Sequence, residues 1–505
     1  MKSPIEREVG RGAAVNALGL IAKTAGPAFL VVIARLYGPE TLGVYLTAAA
    51  LIETSLALLV AGFKDGALIF VARHADEEDE HPQLYQALAN ALAWSFLLAL
   101  VVVVAIQALG DLLIPKLYAS YGEALLSVLK WMCTVLPLMA VERVVMGATQ
   151  GLKIMKYEAF VGGGLRHILL LITASLFWLK YPGPSGLAAA YVTTQLLVFL
   201  TTVQIYRREF QLNRMWQAVA HFRVNREMLS FAFPQNVNVA FDRFVTNIDV
   251  IMLGMLGFTA FQTGLYGAGA LIVREVRQIK LVFSSAFSPH IVRLFRERDL
   301  DSLSQTFATT SRWIAAPLIA ILIALAVLRN DLLYLVHPDF GGGSAVFMLY
   351  LLVIPYLQAT FGLASNVIVM TGHSQWNLFN GITAGVANVA LNLVMIPSFG
   401  LEGAAAASAI TAILKASLEI GEMQYMLRVR VLISQLFKPH LAGLIAVLAL
   451  IGAWRLSDIM DSSVLQRAGL LFGILLLYWG LLLVLGERVL RSNRARIDPG
   501  NDLRD

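Results

Sequence analysis

The sequence predicts an all-α polytopic membrane protein, on three observations: its composition, the lengths of its apolar runs, and the gathering of basic residues between them. Hydrophobic residues make up 58% of the 505 positions and charged residues 14%, with a mean hydropathy of +0.70. A soluble domain carries roughly 45–50% apolar and about 25% charged residues. No water-soluble fold of this length has an interior large enough to hide so much apolar surface, so lipid must be the solvent. The net charge of +6 does not point to nucleic acid, because the basic residues sit at the ends of apolar runs, where headgroups lie. The single cysteine, Cys133, lies in apolar sequence and offers neither an intrachain disulfide nor a cysteine metal site.

A spanning helix needs about 20 largely apolar residues. Breaks at Pro, Gly and charge clusters give about fourteen such segments: 12–34, 41–62, 84–110, 124–147, 157–179, 186–206, 228–255, 262–289, 307–329, 345–370, 377–397, 402–427, 437–455 and 465–486. The first run is too long for a signal-peptide core and reads as an uncleaved first helix. Basic residues concentrate on one side of this arrangement: Lys2, Arg7 and Arg11, then Arg207, Arg208, Arg214, Arg223 and Arg226, then Arg293, Arg296 and Arg298. That asymmetry predicts cytoplasmic termini in the cell inner membrane. The acidic stretch 74–81 falls on an inner loop and reads as a solvated loop or a partner contact, and the Arg-rich tail (Arg488, Arg491, Arg494, Arg496) as an anchor on anionic lipid.

The chain also repeats itself. Gly43-Val44-Tyr45 recurs as Gly264-Leu265-Tyr266, Leu136-Pro137-Leu138 as Ile354-Pro355-Tyr356, and Gly186 with its alanine run as Gly403 with Ala404–Ala407, all at offsets near 220 residues. Six spans per repeat enter the membrane in the same sense, so the halves are expected to be related by a pseudo-twofold axis along the membrane normal, with a substrate site between them. The expected organisation is an N-terminal six-helix lobe (1–206), a basic cytoplasmic linker (207–227), a C-terminal six-helix lobe (228–427), and two extra helices with a basic tail (428–505).

The opening Gly12-Ala13-Ala14-Val15-Asn16 and the stretch Ala34-Arg35-Leu36-Tyr37-Gly38-Pro39-Glu40-Thr41-Leu42-Gly43-Val44-Tyr45 resemble the multidrug/oligosaccharidyl-lipid/polysaccharide exporter superfamily. Within it the chain resembles most the polysaccharide transporter (Wzx-like) flippases. The second stretch is similar to that family's hairpin between its first two helices, and Gly186 with its Ala-rich sequence is a further likeness. The resemblance implies alternating access by two lobes. In this branch it also implies flipping of polyprenyl-diphosphate-linked sugars for cell-surface polysaccharide or lipopolysaccharide, alongside polysaccharide assembly machinery.

Charges inside the spans point to a site independently of any likeness. A charge at the bilayer centre costs about 2.5–3.5 kcal/mol on the lenient insertion scale, so it normally faces a cavity or a partner. Near mid-depth lie Lys23 in the first span, Glu53 in the second, Asp242 and Arg243 in the seventh, and Arg274 with Glu275, Arg277 and Lys280 in the eighth. By analogy with the family, these helices line the central cleft. Taken as one helix, the eighth span puts Arg274, Arg277 and Lys280 on one broad face. With Lys23 and Arg243 they are the candidate contacts for a diphosphate, which suits bidentate Arg and point-charge Lys. An ion-pair network with Glu275, Glu53 and Asp242, or a Lys280 snorkelling to the inner interface, are the other readings. Glu53 and Arg274 each follow the Gly of their repeat by ten residues, so they are expected to pair as a gate between lobes. Asp242 and Asp249 are seven apart on one stripe and are candidates for coupling to H+ or Na+, with simple charge balance as the alternative.

The remaining polar residues are expected to hold helices together: Arg166-His167, Glu142-Arg143, Lys415 with Glu419, and Asn366, Asn377, Asn380, Asn388 and Asn392. Pro137, Pro234 and Pro355 are candidate kinks. No metal spacing of histidines appears, and Gly341-Gly342-Gly343 is not followed by the Lys-Ser/Thr of a phosphate-binding loop. The lack of that loop argues against an ATP-driven pump. Together with the resemblance, the expectation is a transporter rather than an enzyme, with no cofactor, whose partners are a lipid-linked anionic glycan and membrane lipids. A cation-coupled multidrug antiporter and a lipid II flippase are the alternatives within the superfamily, and a membrane-embedded glycosyltransferase the alternative outside it.

Overall fold

The computed structural model describes residues 25–74, 82–342, 345–456 and 464–485, and among them there is no strand. The helices follow in order: α1 (Ala25–Tyr37), α2 (Pro39–His74), α3 (Pro82–Leu117), α4 (Gly122–Cys133), α5 (Leu136–Gly151) and α6 (Lys156–Trp178, with a π-helical stretch at Ala159–Leu165). Then come α7 (Pro184–Glu209), α8 (Leu212–Ala220), α9 (Arg226–Met255), α10 (Ala260–Glu275), α11 (Gln278–Arg296) and α12 (Leu300–Val336). The last are α13 (Val346–Thr360), α14 (Leu363–Met370), α15 (Ser374–Gly421), α16 (Ile433–Leu456) and α17 (Val464–Val484). Lys23, the loop 75–81, Gly343 and the tail from 486 lie outside the described residues, and the first expected span is described from residue 25 onward.

Eight of these helices are long and apolar enough to cross a membrane, and ten segments qualify if each of two bent pairs is one span. The chain is a multi-pass membrane protein. The count falls short of fourteen for physical reasons. The eleventh and twelfth expected segments run together as α15, turned at Gly400, whose φ of +60° and ψ of −133° only glycine adopts without strain. Helix α9 keeps too many polar and charged side chains to qualify on composition. The eighth expected span is not one helix: α10 stops at Glu275 and α11 starts at Gln278. Arg274 therefore does not share one unbroken helix with Arg277 and Lys280, and the single face expected for the three is not formed.

Local sequence explains the main turns. Gly38, at φ +86°, ends α1 and Pro39 opens α2, the order in which a left-handed cap and a first-turn proline are each favourable. Helices α4 and α5 meet at a 48° bend beside Pro137, and α13 and α14 at 47° a turn after Pro355. Pro234 lies inside α9.

The described residues fall into two compact units: Met1–Glu275 with Arg329–Leu351 and Leu378–Lys415, and Val276–Leu328 with Leu352–Asn377 and Ala416–Asp505. In the first, α2 is packed against its neighbours backbone to backbone. A Cβ on Gly43 would stand 1.8 Å from the Ala260 carbonyl oxygen and 3.0 Å from the Gly264 nitrogen, so two glycines from equivalent repeat positions meet at one crossing. Farther along, a Cβ on Gly62 would stand 2.0 Å from the Ala232 oxygen of α9, and one on Gly147 of α5 would stand 2.4 Å from the Lys64 oxygen. Gly62/Gly66 and Gly147/Gly151 each have the four-residue spacing that lets helices approach closely in lipid, where no hydrophobic force drives them together. The second unit has its own core: Ala315, Ala316, Ile319 and Ile323 of α12 pack with Ala442, Ala446 and Leu450 of α16 and with Ile474, Tyr478 and Leu482 of α17. The Tyr478 hydroxyl donates to the Ala316 carbonyl at 2.8 Å, satisfying its polar end inside that core.

Substituting Gly43→Leu should therefore force α2 and α10 apart and cost about 1–3 kcal/mol of overpacking. We expect a lower thermal transition in detergent, whereas Gly473→Ala, which meets nothing within 4 Å, should leave the transition unchanged or slightly raised.

Candidate functional site: a charged cavity between α2, α5 and α9

The close crossings that bring α5 and α9 onto α2 leave room between them at residues with long side chains. The first unit holds a cavity of about 180 Å³ lined by Glu53, Leu56, Ala57, Val60, Ala61, Lys64 and Asp65 of α2, Arg143 of α5, and Val239 and Arg243 of α9. Glu53, Ala57, Val60 and Lys64 follow the helical spacing of one face.

Each charge in the cavity has a distinct situation. Arg143 stands 3.5 Å from Glu53. The Lys64 ammonium donates to Glu158 at 2.9 Å, and Asp65 accepts from the Gln235 amide at 2.9 Å. Arg243 is exposed into this space and makes no hydrogen bond or ion pair among the described residues. Glu53 also lies in the positive field of Arg166, Arg243 and Arg274. The Glu53–Arg274 pairing expected from the repeat is thus a longer-range attraction here, and the direct ion pair of Glu53 is with Arg143. Behind the cavity wall, Glu142 is only 2% exposed and accepts from Arg166 at 2.5 and 2.6 Å and from Gln195 at 2.8 Å. That is a structural ion pair between helices, as a polar group removed from solvent requires.

Of the other expected site residues in the first unit, Arg274 is not among those that line this cavity. The Arg274 guanidinium donates to the Thr246 carbonyl of α9 at 3.1 Å. In the second unit, Arg277 donates to the Gln358 side-chain oxygen at 2.8 Å, and the Lys280 nitrogen lies 2.8 Å from where a Cβ on Gly362 would stand. Lys23 is outside the described residues, and the side chain of Asp242 is as well.

Asp249 forms a second polar cluster in the first unit. It is 8% exposed and accepts from the Tyr266 hydroxyl at 2.5 Å, the Ser408 hydroxyl at 2.7 Å and the Asn392 amide at 3.1 Å. Asn392 donates in turn to Asn388, which reaches Ser408 and Thr411. The Asn392 side-chain oxygen is buried without a partner, so the cluster has carboxylate, amide and hydroxyl oxygens together with one unsatisfied acceptor. Of the other asparagines, Asn366 donates to Ser284 and Asn377 accepts from Ser365 at 2.8 Å, bridging as expected. No group of three or more His, Cys, Asp or Glu that could hold a metal occurs among the described residues.

Three cavity residues went unrecognised in the sequence. Lys64 and Asp65 fell just beyond the expected end of the second span at 62, but α2 continues to His74 and carries them inside the helix. The sequence groups Arg143 with Glu142 as a packing pair. The two are neighbours on α5, so they point in different directions, one to the cavity and one to Arg166.

The fold is similar to that of an inward-facing multidrug resistance MATE family transporter of the MOP superfamily, with a TM-score of 0.70 at 15% identity over 80% of this chain and 94% of the transporter. It is also similar to the lipid II flippase MurJ in an inward closed conformation, with a TM-score of 0.71 at 12% identity over 94% of this chain and 99% of that one. By its sequence the chain belongs to the polysaccharide biosynthesis protein family, whose pattern matches residues 9–295. No curated protein matches it in a sequence search.

Truncating Glu142→Ala would leave Arg166 buried and unpaired and should cost about 3–5 kcal/mol. Unfolding in detergent should show a large drop for Glu142→Ala and a smaller one for Glu142→Gln, which keeps the shape and one acceptor.

Proposed function

We propose that the chain is a flippase that moves a polyprenyl-diphosphate-linked oligosaccharide across the cytoplasmic membrane by alternating access, with no covalent chemistry. The observation that carries this reading is Arg243, an exposed guanidinium without a partner among the described residues, in a cavity within the spans. A permanently charged fork that makes no hydrogen bond among the described residues is matched by a phosphate oxygen pair. Membership of a polysaccharide biosynthesis family and a MurJ-like fold over 94% of the chain support a lipid-linked glycan as cargo.

In this proposal Arg243 and Arg274, with Lys23, Arg277 and Lys280, meet the diphosphate at successive stages of its passage. Glu53 gates by holding Arg143, and attracting Arg274, until the anion competes for them. The cavity has room for phosphates, and passage of the sugars requires the lining helices to separate. The lobes that rock apart are 1–206 and 228–427, with both termini in the cytoplasm, and polysaccharide assembly enzymes receive the product.

Asp249 is proposed as the coupling site, with Asp242 nearby on the same helix. The unsatisfied Asn392 oxygen, with Asp249, Asn388, Ser408 and Thr411, fits a proton or a Na+ ion, and either would supply positive charge beside a carboxylate whose hydrogen bonds come from neutral donors. A cation-coupled drug antiporter is the second reading, favoured by the acids Glu53 and Asp65 in the same cavity.

Transport of a fluorescent lipid-linked oligosaccharide in proteoliposomes distinguishes these readings. Arg243→Gln should slow it about tenfold, the equivalent of losing about 1.4 kcal/mol, with the thermal transition unchanged. An unaltered rate would remove Arg243 from the proposal, and drug efflux lost instead would favour the antiporter. Asp249→Asn should abolish the response to an imposed Na+ or H+ gradient, and a wild-type rate indifferent to both gradients would refute coupling.

A further inference from the structure

We propose that the linker helix α8 is an interfacial strap that binds anionic phospholipid headgroups of the leaflet on its side of the membrane. Only Phe210 and Gln211 separate α8 from the spanning helix α7, and five residues separate it from α9. Both ends are thus tethered close to where the chain leaves lipid. At about 1.5 Å per residue, a nine-residue helix so tethered stays near the bilayer surface.

Its residues sort by face. Leu212, Met215, Trp216 and Val219 share one arc of the helix, and Trp216 is 71% exposed, with Leu212 at 43% and Val219 at 48%. Ala218, on another arc, is buried against α3. Past the helix end, Phe222 and Val224 are also exposed. An apolar arc carrying a tryptophan, beside basic residues, is the pattern of a helix lying in a membrane interface.

The strap is held in place by side chains of α3. The Gln86 amide donates to the Ala218 and His221 carbonyls at 3.1 and 3.0 Å, and its oxygen accepts from the Arg223 nitrogen. The fully buried Asn90 donates to the Arg223 carbonyl at 2.8 Å and accepts from the Asn225 nitrogen at 2.9 Å. The Tyr85 hydroxyl accepts from the Gln211 nitrogen. The backbone of the linker is thereby satisfied by protein, and its apolar arc is turned away from α3.

Charge decides the occupant. Arg207, Arg208, Arg223 and Arg226 are exposed along the strap. The two acids of this region are already engaged, Glu209 by the Tyr157 hydroxyl and Glu227 by Arg73 at 2.7 Å. What remains is a cationic rim around an apolar face, and near a bilayer such cations are drawn to anionic lipid.

The test uses the full chain in nanodiscs of phosphatidylcholine alone or with one-third phosphatidylglycerol, carrying W216C labelled with an environment-sensitive fluorophore. Cys133 is fully buried, so the label reports position 216. The label should be quenched by shallow spin-labelled lipid and shielded from iodide. In the triple variant R207Q/R208Q/R223Q, phosphatidylglycerol retained through purification, counted by mass spectrometry, should fall at least threefold, and R208Q alone should show a smaller fall if the triple variant is unstable. A label open to iodide in both lipid mixtures would overturn the proposal, as would unchanged phosphatidylglycerol retention in the variants. A label shielded in native membranes but open in nanodiscs would overturn it in favour of a protein partner.

Discussion

Helix α2 meets three other helices through backbone rather than side chains, and the arrangement of the first unit depends on that contact. At Gly43 and Gly62 the main chain of α2 presses on α10 and α9, and at Gly147 and Gly151 the main chain of α5 presses on α2. In lipid, apolar side chains gain nothing by leaving one hydrocarbon for another, so packing at short range and polar contacts must hold helices together. Glycines supply that range. Where they stop, between the crossings, longer side chains hold the helices off and a cavity results.

That geometry decides what the intramembrane charges can do. Arg166 is paired with the buried Glu142, which also accepts from Gln195, and this makes it structural. Arg143, one residue along from Glu142, emerges into the cavity and is only loosely met by Glu53. Arg243 emerges on the opposite wall with no protein partner among the described residues. Chemically similar groups are thus divided between holding the protein together and standing ready for a ligand by their position relative to the crossings.

The Asp249 cluster follows the same logic with a different outcome. Its carboxylate is surrounded by neutral hydroxyl and amide donors. Neutral donors stabilise a buried carboxylate without cancelling its charge, and the unsatisfied Asn392 oxygen beside it adds a second acceptor. A transporter that draws on an ion gradient needs such a place, able to change its charge without dismantling the packing around it. The linker helix α8 extends this economy to the membrane surface, where Gln86 and Asn90 satisfy its backbone and leave its side chains to the lipid.

The sequence by itself determined the membrane class, the places of most helix ends and the chemical character of the site. Those depend on local properties: the length of an apolar run, Gly38 before Pro39, and a charge such as Glu53, Arg243 or Asp249 where lipid forbids one. Tertiary structure alone decided which charges meet. Lys64 and Asp65 became cavity residues only because α2 runs on past its apolar stretch. Asp249 found Asn392 and Ser408 more than 140 residues away, and the eighth span broke between Glu275 and Gln278. Pairing depends on where backbones cross, and that is fixed by contacts between distant glycines that no local pattern specifies.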